Sequence, residues 1–445
     1  MRWSKYLISD HIEDGLVLWS TINSRGLVLK QECEKIQRSI SKGQWDDNLS
    51  DEWMTKFTEY GFLITDEQFA HESKLVDKMR SEAVYDDTFM SLTIIPTDRC
   101  NFRCLYCYQT DTYHDMSEKT AESIVKMIKK NKSLKKLHIS WFGGEPLCNK
   151  KLVISLMKDI NEVCRKKSIV LVGDMTTNAS LLDIHTFSQL YSLKVLNYQI
   201  TLDGCKETHD IQRPINGRES SFDVIMNNLR EIREKARGKF FKIGIRTNFT
   251  NFVDSRFEKM KNTLEEEFAG DSRFYFFFQW VKDWGGNRVA TISDKLLKDD
   301  EAILSYGRWM DVMSKTNVRT GDITMIRACS GLCIGCRKNS YLVNTDGTLC
   351  KCTTAIYDDP CKDNAVIGYI DDAGNRVIDK WKEIEWLSCD ANLDECRLCN
   401  IYPICLGMPC PFYKIKHGRV ICNKNDSYIR YMIRSMARQG YIESI

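Results

Sequence analysis

The chain has 445 residues, 43% of them hydrophobic and 28% charged, an ordinary balance for a soluble protein of about three domains. Lys+Arg 64 against Asp+Glu 61 leaves a net charge of +3, too even to mark a nucleic-acid or membrane-surface protein by its field alone. The opening MRWSKYLISDHIEDG lacks a signal peptide's apolar core, and no apolar run approaches the ~18 residues of a membrane helix, so a cytoplasmic protein is expected.

Residues 1–85 read as a separate α+β unit. Short apolar segments at 6–8 and 16–19 flank a polar bend, and a third at 27–29 follows the turn signal Asn23-Ser24-Arg25-Gly26. Leu29, Cys33, Ile36 and Ile40 recur at helical spacing. A second helix starts at the N-cap Ser50 and carries Trp53, Met54 and Phe57 on its apolar face. Residues 62–64 suit one more short strand. Strands first and helices after is the order of a winged-helix-like module, and a plain structural cap fits that order too.

Across 86–320 strands and helices alternate. Apolar strands are predicted at 92–96, 137–142, 169–176, 195–202, 242–248 and 274–280. Helices between them are signalled by Ser117 capping Ala121, Ile124, Val125 and Ile128, by residues 152–164 and by residues 222–236. Six βα units with near-continuous apolar strands predict a parallel sheet buried on both faces. A closed or partial (βα)6, TIM-like barrel is favoured over a doubly wound sheet, with its chemistry at the C-terminal strand ends.

The segment 321–445 is cysteine-dense, short in its elements and punctuated by Gly and Asp. Of the 19 cysteines, twelve lie between Cys329 and Cys422 and three between Cys100 and Cys107. An odd count, no export signal and a large core argue against disulfides and for metal ligands. Bound metal, more than apolar burial, would then order this segment.

Cys100, Cys104 and Cys107 crowd one loop directly after the first barrel strand. Three thiolates hold three irons of a 4Fe–4S cube and leave the fourth open to a cofactor, whereas four close it. Zinc is the plainer alternative, but zinc sites pair two clips, and Cys-x3-Cys-x2-Cys supplies an unusual three. Trp141-Phe142-Gly143-Gly144-Glu145-Pro146 follows the second strand; its glycines allow close backbone approach and its carboxylate can accept from an ammonium.

With Tyr106 in the aromatic place, the cysteine loop resembles the signature of the radical S-adenosylmethionine (SAM) superfamily, and Gly143-Gly144-Glu145-Pro146 resembles that family's GGEP motif. The resemblance implies a SAM-binding cluster on Cys100, Cys104 and Cys107, with the GGEP segment at the SAM amino group. Thr177 and Asn178 are similar to the family's ribose-contacting segment. Asp203, His209 and Arg213 resemble the stretch that meets ribose and carboxylate, and Arg246 and Asn248 end the fifth strand. A solvated polar strand terminus is the plainer reading of each.

The later cysteines resemble the SPASM domain, whose pattern is Cys-x9–15-Gly-x4-Cys, then Cys-x2-Cys-x5-Cys-x3-Cys, then Cys. Cys333, Gly347 and Cys352 fill the first part; Cys396, Cys399, Cys405 and Cys422 follow, while Cys410 sits one residue late. Two auxiliary clusters are implied: an inner one on Cys352 and Cys410 with two of Cys329, Cys333 and Cys336, and an outer one on Cys396, Cys399, Cys405 and Cys422. Paired zinc knuckles are the plainer alternative.

The cofactors implied are therefore SAM and three 4Fe–4S clusters. Such enzymes reductively cleave SAM to a 5′-deoxyadenosyl radical that takes a substrate hydrogen atom. The expected function is maturation of a ribosomal precursor peptide by a thioether or carbon–carbon cross-link, its leader gripped by residues 1–85 as an added strand. A low-potential donor of flavodoxin or ferredoxin type is implied; no nucleic-acid or membrane partner is expected, and the general base is unassigned. One alternative is an anaerobic sulfatase-maturating enzyme making formylglycine. There an Asp base follows the inner cysteine, whereas Cys352 is followed by Thr353-Thr354, with Asp358 and Asp359 further on. The other is a non-catalytic iron–sulfur electron carrier.

Overall fold

The computed structural model describes residues 1–109, 114–217, 220–284, 287–357, 361–390, 392–420, 422 and 426–445. Five short strands come first: β1 (Arg2–Trp3), β2 (Leu7–Ile12), β3 (Gly15–Ser20), β4 (Arg25–Leu29) and β5 (Leu63–Ile64). β2, β3 and β4 form an antiparallel meander, and β1 pairs with β5. Along β3 the side chains alternate between two cores. Leu16 and Leu18 face Ile36 and Phe57 of the two predicted helices, Cys33–Lys42 and Asp51–Glu59, whereas Val17 and Trp19 join the principal core. The unit is therefore wedged against the rest of the chain rather than detached from it.

A third helix, Asp66–Tyr85, was not expected from periodicity. Its buried residues are only Glu72, Val76 and Val84, so its apolar stripe is thin. Its start is nonetheless written locally, because Thr65 and Gln68 form a reciprocal capping box.

Among the described residues the main sheet has ten strands. β6 (Phe89–Ile94), β7 (Lys136–Trp141), β8 (Val170–Thr177), β9 (Val195–Thr201), β10 (Lys242–Phe249) and β11 (Phe274–Trp280) run parallel and in chain order. Helices Glu118–Lys130, Lys150–Lys166, Ile184–Ser192, Ser221–Lys235 and Phe257–Phe268 connect them. β6 does not close onto β11. It pairs instead with β12 (Ser340–Val343), and the sheet continues antiparallel through β13 (Thr348–Cys350), β14 (Val366–Ile370) and β15 (Arg376–Ile378). The six-stranded unit thus stays open, a mixed α/β architecture with a parallel sheet at its centre.

The strands are not buried on both faces as expected. Met90, Leu92 and Ile94 of β6 and Leu137, Ile139 and Trp141 of β7 pack with the helices in the principal core. The opposite face is polar and half-buried, carrying His138, Ser140, Asp174, Thr176, Asn197 and Gln199. In residues 321–445, Leu342, Val343, Leu349, Ile367, Trp386 and Ile404 enter the principal core. Apolar burial, at about 1.5–3 kcal/mol for each fully buried aliphatic side chain, therefore contributes to the order of the segment beside any bound metal.

Helix Asp426–Arg438 lies against β2 and β3, and a last strand, β16 (Glu443–Ser444), pairs parallel with β4. Among the described residues, no helix is long and apolar enough to cross a membrane.

Candidate active site

The loop bearing Cys100, Cys104 and Cys107 leaves the C-terminal end of β6 and is held from three sides. Arg103 N–H donates to Pro214 O at 2.9 Å and Leu105 N–H to Gln212 O at 3.0 Å, which ties the loop to the segment after helix Lys206–Gln212. Asn178 Nδ2 donates to Asn101 Oδ1 at 2.8 Å from the end of β8. From the end of β7, Gly144 N–H donates to Thr97 O at 3.2 Å and Glu145 N–H to Arg99 O at 2.8 Å.

The two glycines are spent on this clamp. A Cβ on Gly144 would stand 2.4 Å from the carbonyl oxygens of Asp98 and Arg99, and one on Gly143 2.6 Å from Thr97 O. The backbone they approach belongs to the cysteine loop. Glu145, 1% exposed, accepts from Leu147 N–H at 3.0 Å, Thr177 Oγ1–H at 2.8 Å and Asn178 N–H at 2.7 Å, so Thr177 and Asn178 meet this carboxylate. Burial raises its pKa against those hydrogen bonds. Pro146 opens the short turn that Glu145 caps.

The remaining predicted residues form one network. Tyr106 donates to Asp203 and accepts from Arg213 Nη1 at 2.6 Å and Asn248 Nδ2 at 3.1 Å. Asn248 N–H donates to Asp203 Oδ1 at 2.8 Å, and Arg246 Nε donates to Asn248 Oδ1 at 2.8 Å. His209 Nδ1 accepts from Asp203 N–H at 3.1 Å. Three buried nitrogens here, His209 Nε2, Gln212 Nε2 and Arg213 Nε, have no hydrogen-bond partner, an arrangement that suits a polar ligand.

The thiols fit a metal cluster by their chemistry. Burial pushes Cys100 up to about 12, with Glu145, Cys104 and Cys107 adding to it, and burial pushes Cys104 up to about 11 against the nearby Arg213. Thiols this reluctant to ionise become ligands only when a metal supplies the positive charge. Among the described residues no three His, Cys, Asp or Glu side chains converge as donors to a single ion.

Two further groups of thiols gather in the C-terminal segment. Burial pushes Cys352 up to about 12, followed by the influence of Cys333 and, less, Cys410. Cys336 is raised first by a hydrogen bond to Cys333, then by burial, with Cys389 and Cys410 adding. Cys389, fully buried, was passed over in the sequence because it precedes the Cys396-x2-Cys399 pair by seven residues and fits no spacing rule. Cys329 stands apart, with Arg337 and Glu82 as its charged neighbours. In the second group, burial pushes Cys405 up to about 11, with Cys422, Cys396 and Cys399 beside it. Asp358 and Asp359 lie outside the described residues.

Comparison with known proteins bears on this arrangement. Residues 94–263 match the model of the Radical SAM superfamily. The cysteine-type anaerobic sulfatase-maturating enzyme of Clostridium novyi is 22% identical over 345 residues, covering 71% of this chain and 86% of that protein. An uncharacterized protein of Methanocaldococcus jannaschii is 30% identical over 141 residues; the match covers 31% of this chain and 47% of that relative's length. Among solved structures, anSMEcpe with bound AdoMet and Cp18Cys peptide superposes with a TM-score of 0.55 at 17% identity, covering 79% of this chain and 96% of that one. SuiB of Streptococcus suis bound to the precursor peptide SuiA gives 0.52 at 13% identity, covering 96% and 99%. At such identities the two structures speak for the fold alone. Through residues 94–263, somewhat under half of its length, the chain is similar to the Radical SAM superfamily.

Proposed function

We propose that the protein is a radical SAM maturase that modifies a peptide, forming a thioether or carbon–carbon cross-link. The observation that carries this reading is the trio of half-buried thiols on one loop, clamped at the C-terminal edge of the parallel sheet by Gly144 and Glu145. Cys100, Cys104 and Cys107 would hold the first cluster, and Tyr106, Gly143, Gly144, Glu145, Pro146, Thr177, Asn178, Asp203, Arg213 and Arg246 would surround SAM. Cys333, Cys336, Cys352 and Cys410 would hold an inner auxiliary cluster, and Cys396, Cys399, Cys405 and Cys422 an outer one. Bound SAM supplies, on reductive cleavage, the species that removes a substrate hydrogen atom; the protein shields it from water and orients the substrate. Solved structures with this fold hold peptides, Cp18Cys in one and SuiA in another, which supports a peptide substrate.

Residues 1–85 would receive a leader peptide, but not at every edge of their sheet. β16 already occupies β4, which leaves β2 as the outer strand, and Ser9 O on β2 accepts from Arg430 Nη1 at 2.8 Å. Formylglycine formation is the second reading, favoured by the C. novyi relative and opposed by Thr353 where the resemblance places a base. The test is anaerobic reconstitution with SAM, reductant and candidate peptides. 5′-Deoxyadenosine with a peptide two mass units lighter supports the maturase; an aldehyde supports formylglycine; no 5′-deoxyadenosine supports a mere electron carrier.

A further inference from the structure

The helix-free face of the six parallel strands is layered by cross-strand pairs. One layer runs Thr93, Ser140, Asp174, Asn197 and Lys242; the next runs Thr176, Gln199, Gly244 and Tyr275; above it lie Thr201, Arg246 and Phe277. Closed barrels of this kind fill their interior with branched apolar side chains. Here the β7–β9 part of the face is polar and half-buried, Tyr275 and Phe277 lie at its β11 edge, and along β10 it continues to Arg246 and Asn248 at the candidate active site. A polar, partly accessible face suits a hydrophilic substrate and leaves this chain no core of its own there.

Within that face one titratable pair stands out. His138 and Asp174 are 28% and 31% exposed, and His138 Nε2 lies 2.6 Å from Asp174 Oδ2. Ser91 Oγ lies 3.1 Å from His138 Nδ1. With Nε2–H donated to the carboxylate, Nδ1 accepts from the Ser91 hydroxyl, and the ring is fixed at both ends. Asp174 Oδ2 is thereby occupied, and Oδ1 is the oxygen left to a substrate. Asp174 lies three residues before Thr177, so it sits about 10 Å along β8 from the strand end that meets Glu145.

We propose that Asp174, oriented by His138 and Ser91, is the base that takes the substrate's proton on this face. The assignment rests on the maturase reading above and supplies the base that Thr353 does not. In thioether formation the carbon-bound hydrogen leaves as an atom to the radical derived from SAM, and the thiol proton passes to Asp174 Oδ1. The sulfur–carbon bond forms, and the surplus electron goes to an iron–sulfur cluster, the acceptor class the balance requires. Asp174 is catalytic in this scheme; His138 is a positioning residue.

The test uses the full-length, reconstituted protein with the Cp18Cys and SuiA peptides as probes, reading modified peptide per 5′-deoxyadenosine formed. Asp174→Asn should lower that ratio by about 100-fold, the lower range for loss of a general base. His138→Ala should lower it too, and His138→Gln, which retains an N–H donor, should restore part of it. An Asp174→Asn protein equal to wild type in this ratio overturns the assignment alone. Wild-type protein that turns over neither peptide overturns the maturase reading, and this assignment with it.

Discussion

At the residue scale, the sequence located chemistry better than it located partners. Glu145 and the pair Thr177 and Asn178 are read from separate motifs, and the fold joins them in one hydrogen-bonded set beneath the cysteine loop. Their spacing on different strands is not readable from local sequence, because only the sheet register brings strand ends together. His209 carries the clearest pH consequence. Burial holds its pKa well below the ordinary 6.5, so the folded protein leaves it neutral where the unfolded chain would bind a proton. Its contribution to stability is therefore complete above about pH 6.5 and is lost as pH falls below it, at up to about 1.4 kcal/mol per pH unit. Denaturant unfolding of wild type and His209→Asn at about pH 7.5 and about pH 5.5, either side of that ordinary value, should show a shallower decline in the variant.

At the element scale, helix Asp66–Tyr85 joins the first unit to the outer thiols. Asp77 accepts from Tyr402 Oη–H at 2.6 Å and from Arg397 Nε at 3.1 Å, and Arg397 stands between Cys396 and Cys399. On the other side of that turn, Thr21 Oγ1 donates to Asn400 O at 2.5 Å and Tyr6 Oη to Arg397 O at 3.2 Å. Asp77→Ala removes the acceptor of a fully buried tyrosine, a loss worth about 1–3 kcal/mol. Amide exchange across residues 396–405 should quicken in this variant more than across β6–β8. The helix's start is written in a capping box that apolar periodicity does not register, and its contacts, which span more than 300 residues of chain, have no local signal at all.

At the scale of the whole molecule, the cysteine-rich segment serves two masters. β12 to β15 extend the main sheet, while residues 389–410 carry five of the segment's cysteines on short helices and turns. On the proposed cluster assignment, removal of iron should split the segment's behaviour. Exchange protection in Ser340–Val343 should survive chelation, and protection across residues 396–405 should fall toward that of open loops. Equal loss in both would mean that metal, not apolar burial, holds the whole segment.

The order of strands and helices, the six parallel strands and the clustering of thiols were written in the chain itself, because periodicity and short spacing act within a few residues. The tertiary structure alone decided the open barrel extended through β12, the pairing of β16 with β4, the place of Cys389 among the inner thiols and the meeting of His138 with Asp174. Each of these joins segments distant in the chain, and such contacts exist only after the loops between them have closed.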